Sequence, residues 1–224
     1  MKGDKLIIQE AHVEAAHYIM GLLLTLIMKT PGKFIITIAG ESGSGKSEIA
    51  AALSNLLLEK GVKSIILQQD DYFVYSPKTN ARMRRKDVNH VGLSEVHLTL
   101  LDQNLHDIMV GKSEIDKPLV IFDDDIITEE KVKLEGTDVV IVEGTYTTTL
   151  KNVHQRIFID RTYLDTRETR KLRSREEQDE FLERVLKIEH KIISSHKPQA
   201  DIIVTSDYKV RKVRKSGETR TQQN

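Results

Sequence analysis

The segment Gly40-Glu41-Ser42-Gly43-Ser44-Gly45-Lys46-Ser47 constrains this chain more than any other. It matches G-x-x-x-x-G-K-[ST] in full and stands between two segments of contrasting period. Residues 34–39 are an apolar, β-branched run that predicts a buried strand. Residues 47–60 carry Ile49, Leu53, Leu56 and Leu57 at helical spacing and end at Gly61, a favourable residue just past a helix. Strand, glycine-rich turn and helix form the context in which this motif cradles phosphate. The glycines let the backbone curl until successive N–H groups face one anion, and the helix N-terminus adds its positive end. The candidate phosphate-binding set runs from Gly40 through Glu48. Lys46 is expected to reach the outer phosphates as a mobile charge, and the Ser47 hydroxyl to ligate Mg²⁺.

The rest of the chain repeats that alternation. Residues 4–28 read as a helix stopped by Pro31-Gly32. Short apolar runs at 64–69, 119–122, 139–142, 156–159 and 202–204 read as strands. Residues 94–110 read as a helix, and 165–195 as largely helical and highly charged. Residues 71–92 are polar and read as irregular, and the chain is expected to fray from Thr205 onward. The pattern predicts an α/β fold, a parallel sheet with helices on both faces. Its expected divisions are an N-terminal helical extension (1–32), a core domain (33–205) and a basic tail (206–224).

Composition narrows the function classes. Thirty-four Lys and Arg balance thirty-four Asp and Glu, so no global field draws the chain to nucleic acid or an anionic membrane. Lys209, Arg211, Lys212, Arg214, Lys215 and Arg220 alone favour RNA, and Tyr208 is the only aromatic among them. No nucleic-acid partner is expected. The absence of cysteine excludes a disulfide framework and a cysteine nucleophile, and it fits a reducing cytoplasm. The longest charge-free run, residues 15–28, falls short of the roughly 20 residues that cross a bilayer, so no membrane segment is expected. Residues 18–28 offer an apolar surface that serves either the core or a second copy in a homo-oligomer.

Three acids follow predicted strands: Asp70 and Asp71 after the second, Glu143 after that at 139–142. In open α/β sheets ligands lie outside the carboxyl ends of the strands, so all three are candidates for the crevice that holds the phosphate loop. One can orient and deprotonate an acceptor hydroxyl; another can hold Mg²⁺. Arg161, Arg167, Arg170, Lys171, Arg173 and Arg175 form a basic group in which Arg167, Arg170 and Arg173 share one helix face. A mobile lid bearing them would neutralise charge on a transferred phosphoryl group and exclude water. The histidines lack metal-ligand spacing; His90 alone falls where an acceptor pocket would form.

With these residues in place the chain resembles the uridine kinase / phosphoribulokinase group of P-loop kinases. The resemblance spans residues 34–204 and rests on IAGESGSGKSEIA (38–50), QQDDYF (68–73), DVVIVEGTY (138–146), FIDRTYLDTRETRKLRSR (158–175) and KPQADIIV (197–204), in that order. It implies a P-loop NTPase with a five-stranded parallel sheet and a helical arginine-bearing lid, using ATP and Mg²⁺. By the same resemblance Asp70 activates the acceptor hydroxyl and stands near the metal, Glu143 lies near Mg²⁺, and Arg167 and Arg170 are lid arginines. Tyr72 and Phe73 match the aromatic pair beside the acceptor.

The departures fall at the acceptor pocket. Where uridine kinases carry Asn-Phe-Asp-His-Pro, this chain has Val88-Asn89-His90-Val91-Gly92, with Asn89 in place of the ribose-binding aspartate. The positions of the family's base-reading tyrosine and histidine hold Val120 and Asp125. The implied acceptor is a hydroxyl of a small molecule, a nucleoside 5′-hydroxyl foremost, with uridine a poor one. Pantothenate, a sugar phosphate and glycerate are alternatives. So are a nucleoside monophosphate gripped by Lys78, Arg82, Arg84, Arg85 and Lys86, and a non-enzymatic nucleotide-dependent binding protein.

Overall fold

The computed structural model describes residues 6–173 and 179–213. Helix α1 (Glu10–Lys29) leads into strand β1 (Phe34–Gly40), and the glycine-rich turn feeds α2 (Lys46–Glu59). Strand β2 (Ser64–Gln68), α3 (Pro77–Lys86) and α4 (Leu98–Met109) follow. Next come β3 (Glu114–Ile121), β4 (Ile126–Lys133), β5 (Val139–Glu143) and β6 (Gln155–Ile159). Helices α5 (Arg167–Arg173) and α6 (Glu180–His196) precede β7 (Ile202–Val204) and β8 (Val210–Lys212).

The main sheet has the order β2-β5-β1-β6-β7-β8. Its first five strands run parallel and β8 pairs antiparallel with β7. All seven residues of β1 are buried, and their alternation divides the core. Ile36 and Ile38 pack with Ile19 and Leu23 of α1 and Ile49 and Leu53 of α2. Ile35 and Ala39 face the opposite layer, with Leu101 and Leu105 of α4 and Ile193 of α6. The strand register sets the site: Ile38 pairs with Glu143, and Gln68 pairs with Glu143 from the other side. The ends of β1, β2 and β5 therefore meet at one edge of the sheet.

Helix α1 is long and apolar enough to cross a bilayer, with a mean hydropathy of 1.4. Its Ala15, Ala16, Ile19, Leu23 and Ile27 are instead buried in the core. It starts at Glu10 and not near residue 4, because the Gln9 N–H is capped by His12 Nδ1 at 3.1 Å.

Three further elements correct the sequence reading. Residues 77–86, expected to be irregular, are helical. Their side chains show no apolar period, but Pro77 occupies the first turn and Asp125 Oδ1 accepts the Lys78 N–H at 2.7 Å. The run 119–122 belongs to a separate antiparallel hairpin, β3–β4, and not to the parallel sheet. Strand β4 is almost wholly exposed and so lacked a hydrophobic signature. The chain beyond Thr205 does not fray at once but returns as β8. Arg175 and the junction 174–178 lie outside the described residues, as do Arg214, Lys215 and Arg220.

Asp71 anchors the hairpin. Its carboxylate accepts from Lys117 Nζ at 2.7 Å and from the Val120 N–H at 3.1 Å, with both side chains 5% exposed. Removing one member of such a pair leaves the other charged group buried. Glu130 Oε2 also lies 3.1 Å from Lys117 Nζ, which softens the loss. Asp71→Asn is expected to lower unfolding stability by about 3 kcal/mol in a denaturant titration, whereas Asp70→Asn should leave it nearly unchanged.

Candidate active site

The turn after β1 curls through Gly40, Gly43 and Gly45, the last at φ +99 at the start of α2. The close packing there tolerates no side chain: a Cβ at Gly40 would stand 2.8 Å from Ser44 Oγ. That hydroxyl is buried and has no hydrogen-bond partner among the described residues, a donor suited to a phosphate oxygen. Lys46 Nζ folds back onto the Glu41 carbonyl at 3.0 Å.

Glu143 ends β5 and is buried beneath this turn. Its Oε1 accepts from Ser47 Oγ and from Gln68 Nε2, each at 3.1 Å. Burial holds its carboxyl above the usual carboxylate range; the Lys46 ammonium opposes this and the charge of Asp70 adds to it. Asp70 lies two residues beyond β2, half-buried on the wall of the same cleft. Ser47, Glu143 and Asp70 are hard oxygen donors, a set that fits Mg²⁺, which takes few protein ligands and leaves the rest to phosphate and water.

The cleft has a volume of about 340 Å³. It is lined by Ser42, Gly43, Lys46 and Ser47 of the phosphate loop, by Phe73, Phe122 and Phe181, and by Asn80, Arg84 and Glu189. Arg170, on α5, packs against the phosphate loop. It is buried, its Nη1 donates to the Tyr163 carbonyl at 2.5 Å and to Thr166 Oγ1 at 2.6 Å, and it lines the cleft. Its Cγ would be 3.1 Å from a Cβ at Gly43.

Several sequence-predicted site residues stand elsewhere. Tyr72 points into the core, fully buried, where Asn104 Nδ2 donates to its hydroxyl at 3.0 Å. It follows Asp71, whose ties to the hairpin turn this short helical stretch inward. Asn89 is exposed and its backbone N–H donates to Asp87 Oδ1 at 2.9 Å. His90 stands behind the wall, its Nε2 3.1 Å from Asn80 Oδ1. Asp125 caps α3 as described, and Arg167 is exposed and off the cleft. Glu48 is buried in the first turn of α2 without lining the cleft.

Glu41 is buried and joins three segments. Its Oε2 accepts the Tyr163 N–H at 2.5 Å, and its Oε1 lies 2.7 Å from His190 Nδ1. Sequence reasoning missed His190 because 149 residues separate the pair and nothing in the local pattern marks it. It also missed Arg84, which lines the cleft while paired with the buried Glu95. That guanidinium binds Glu95 through Nε and, through Nη2, Glu95 Oε2 at 3.1 Å and Glu189 Oε1 at 2.9 Å. Arg85 Nη2 meets Asp179 Oδ2 at 2.7 Å. Two cations proposed to grip an acceptor phosphate are thus engaged with protein carboxylates.

A parallel sheet, a phosphate loop at its carboxyl edge and an arginine-bearing lid define a P-loop kinase fold. The chain belongs to the Phosphoribulokinase / Uridine kinase family, which it matches over residues 35–206. It is 30% identical over 189 residues to the bifunctional alpha-galactosidase/sucrose kinase AgaSK of Mediterraneibacter gnavus, a match covering 78% of this chain but only 20% of that protein. It is 30% identical over 183 residues to a uridine kinase of Macrococcus caseolyticus, covering 76% of this chain and 86% of that one. Among solved structures, a possible uridine kinase from Bacillus stearothermophilus shares the fold, with a TM-score of 0.63 and 19% identity over 85% of this chain and 97% of the other.

Lys46 supplies the one mobile cation of the glycine-rich turn. Lys46→Ala is expected to raise the dissociation constant for MgATP by about tenfold or more in a calorimetric titration, the loss of a charge-assisted contact.

Proposed function

We propose that this chain transfers the γ-phosphoryl group of ATP to a hydroxyl of a small molecule, with a nucleoside 5′-hydroxyl the leading acceptor. The observation that carries this reading is the shared cleft. Ser42, Gly43, Lys46 and Ser47 of the phosphate loop, the carboxylate-bearing Asp70 and the aromatic Phe73, Phe122 and Phe181 all line this one cavity.

The chemistry follows from those positions. Asp70 takes the proton of the acceptor hydroxyl as its oxygen attacks the γ-phosphorus. The bond to the β–γ bridging oxygen breaks and ADP leaves. Lys46 and Arg170 neutralise charge that gathers on the transferred group and the leaving diphosphate. Mg²⁺, when held through Ser47, Glu143 and Asp70, adds a second source of positive charge. Phe73, Phe122 and Phe181 offer faces to a planar group, and Asn80 and Glu189 polar atoms to its edge or hydroxyls. Val120 is buried and its N–H is taken by Asp71, so this position cannot read a pyrimidine base as a tyrosine would. The match to part of a bifunctional alpha-galactosidase/sucrose kinase supports a second reading, a sugar acceptor, because aromatic faces also stack on sugar rings.

Two experiments test this. Asp70→Asn should lower kcat by about 10²–10⁴-fold while MgATP affinity changes little; normal turnover would remove Asp70 from the mechanism. An ADP-release screen over nucleosides, sugars, sugar phosphates, pantothenate and glycerate should give its highest kcat/KM with a nucleoside other than uridine. Turnover of uridine at or above about 10⁵ M⁻¹s⁻¹ would contradict the pocket assignment, and a sugar in first place would favour the second reading.

A further inference from the structure

Two residues outside the family-matched stretch meet on the phosphate loop. Tyr208 sits in the turn between β7 and β8, and its hydroxyl donates to the Ser44 carbonyl at 3.1 Å. His12, in the first turn of α1, places Nε2 3.0 Å from the same hydroxyl. Because His12 Nδ1 accepts the Gln9 N–H, the ring proton resides on Nε2 and is donated to Tyr208. Arg161, just past β6, donates to that oxygen too, and its guanidinium covers the phenol 4.7 Å from the ring centroid. The imidazole meets the phenol edge to face at 4.7 Å. The phenol oxygen therefore accepts from two donors and directs its own proton to Ser44.

This contact governs a peptide plane. The 44–45 bond is trans, so the Ser44 carbonyl and the Gly45 N–H point to opposite sides of the loop. A Cβ at Gly45 would stand 2.8 Å from Tyr208 Oη and 3.0 Å from His12 Nε2, so the cluster lies directly against the loop's outer side. Tyr208 adopts φ +62, a conformation uncommon for a bulky residue, which these contacts hold in place.

We infer that Tyr208, set by His12 and Arg161, is a positioning residue for nucleotide binding: by pinning the Ser44 carbonyl outward it keeps the Gly45 N–H turned inward to meet a phosphate oxygen. The first helix and the β7–β8 turn thereby become part of the nucleotide site. The inference rests on the nucleotide-binding reading of the loop, not on phosphotransfer.

Titration of the full chain with MgATP and with magnesium tripolyphosphate, which has no base, tests it. Tyr208→Phe should weaken both ligands equally, by about tenfold, and should speed amide exchange at Gly45. His12→Ala should weaken both by a smaller factor, and His12→Gln, which retains a donor, should recover part of the loss. Wild-type affinity for both ligands in Tyr208→Phe would overturn the inference. So would a loss confined to ATP, which would make Tyr208 a base contact. Should Tyr208→Phe not fold, unchanged affinity in His12→Ala overturns it instead. A wild-type chain that binds neither ligand would remove the nucleotide reading itself.

Discussion

The carboxylate of Glu143 is the charge around which the site is organised. Taking a carboxylate out of water costs several kcal/mol unless opposite charge and donors compensate. Here the compensation comes from Ser47 on α2, Gln68 on β2 and Lys46 at the end of the phosphate loop. Those groups converge only because β5 lies between β1 and β2 in the observed register. A shift by one residue would turn Glu143 to the other face of the sheet. Sheet register and site electrostatics are thus a single constraint.

The phosphate loop is held from its rim as well as from its base. Glu41 draws Tyr163 and His190 toward it, so the chain after β6 and helix α6 are tied to the loop's first residues. Arg170 packs its aliphatic stem over Gly43 while its guanidinium is fixed by Tyr163 and Thr166. These contacts order the loop's donors in advance of any ligand, the form of preorganisation that electrostatic catalysis needs.

Most of the fold was legible in the sequence because its buried strands are continuous apolar runs and its phosphate loop has fixed spacing. Helix α3 and strand β4 were not, because each is stabilised by partners and not by its own pattern. Basic residues make up much of α3, and its cap comes from Asp125, 47 residues ahead of Lys78; β4 is exposed and held by pairing with β3. The phosphate end of the site could be read from local motifs. The aromatic lining of the cleft could not. Phe122, Phe181 and Glu189 come from segments far apart in the chain, whereas Asn89 and Asp125 lie off the cleft, bonded to Asp87 and to the start of α3. At Asp70 and Asp71, adjacent side chains leave a tight turn in different directions, the first to the cleft and the second to the hairpin.

The cap on α3 has a consequence for how specificity changes in such a fold. Asp125 belongs to the turn of the β3–β4 hairpin, yet it fixes the start of the helix that carries Asn80 and Arg84. Lys78 Nζ returns a bond to the carbonyl of Asp123 at 3.2 Å. Turn and helix therefore form one mechanical unit. Lengthening or shortening that surface turn, a change most proteins absorb without effect, would here re-aim the helix that lines the cleft, giving the shape of that cavity a route to drift that leaves every residue in it unaltered.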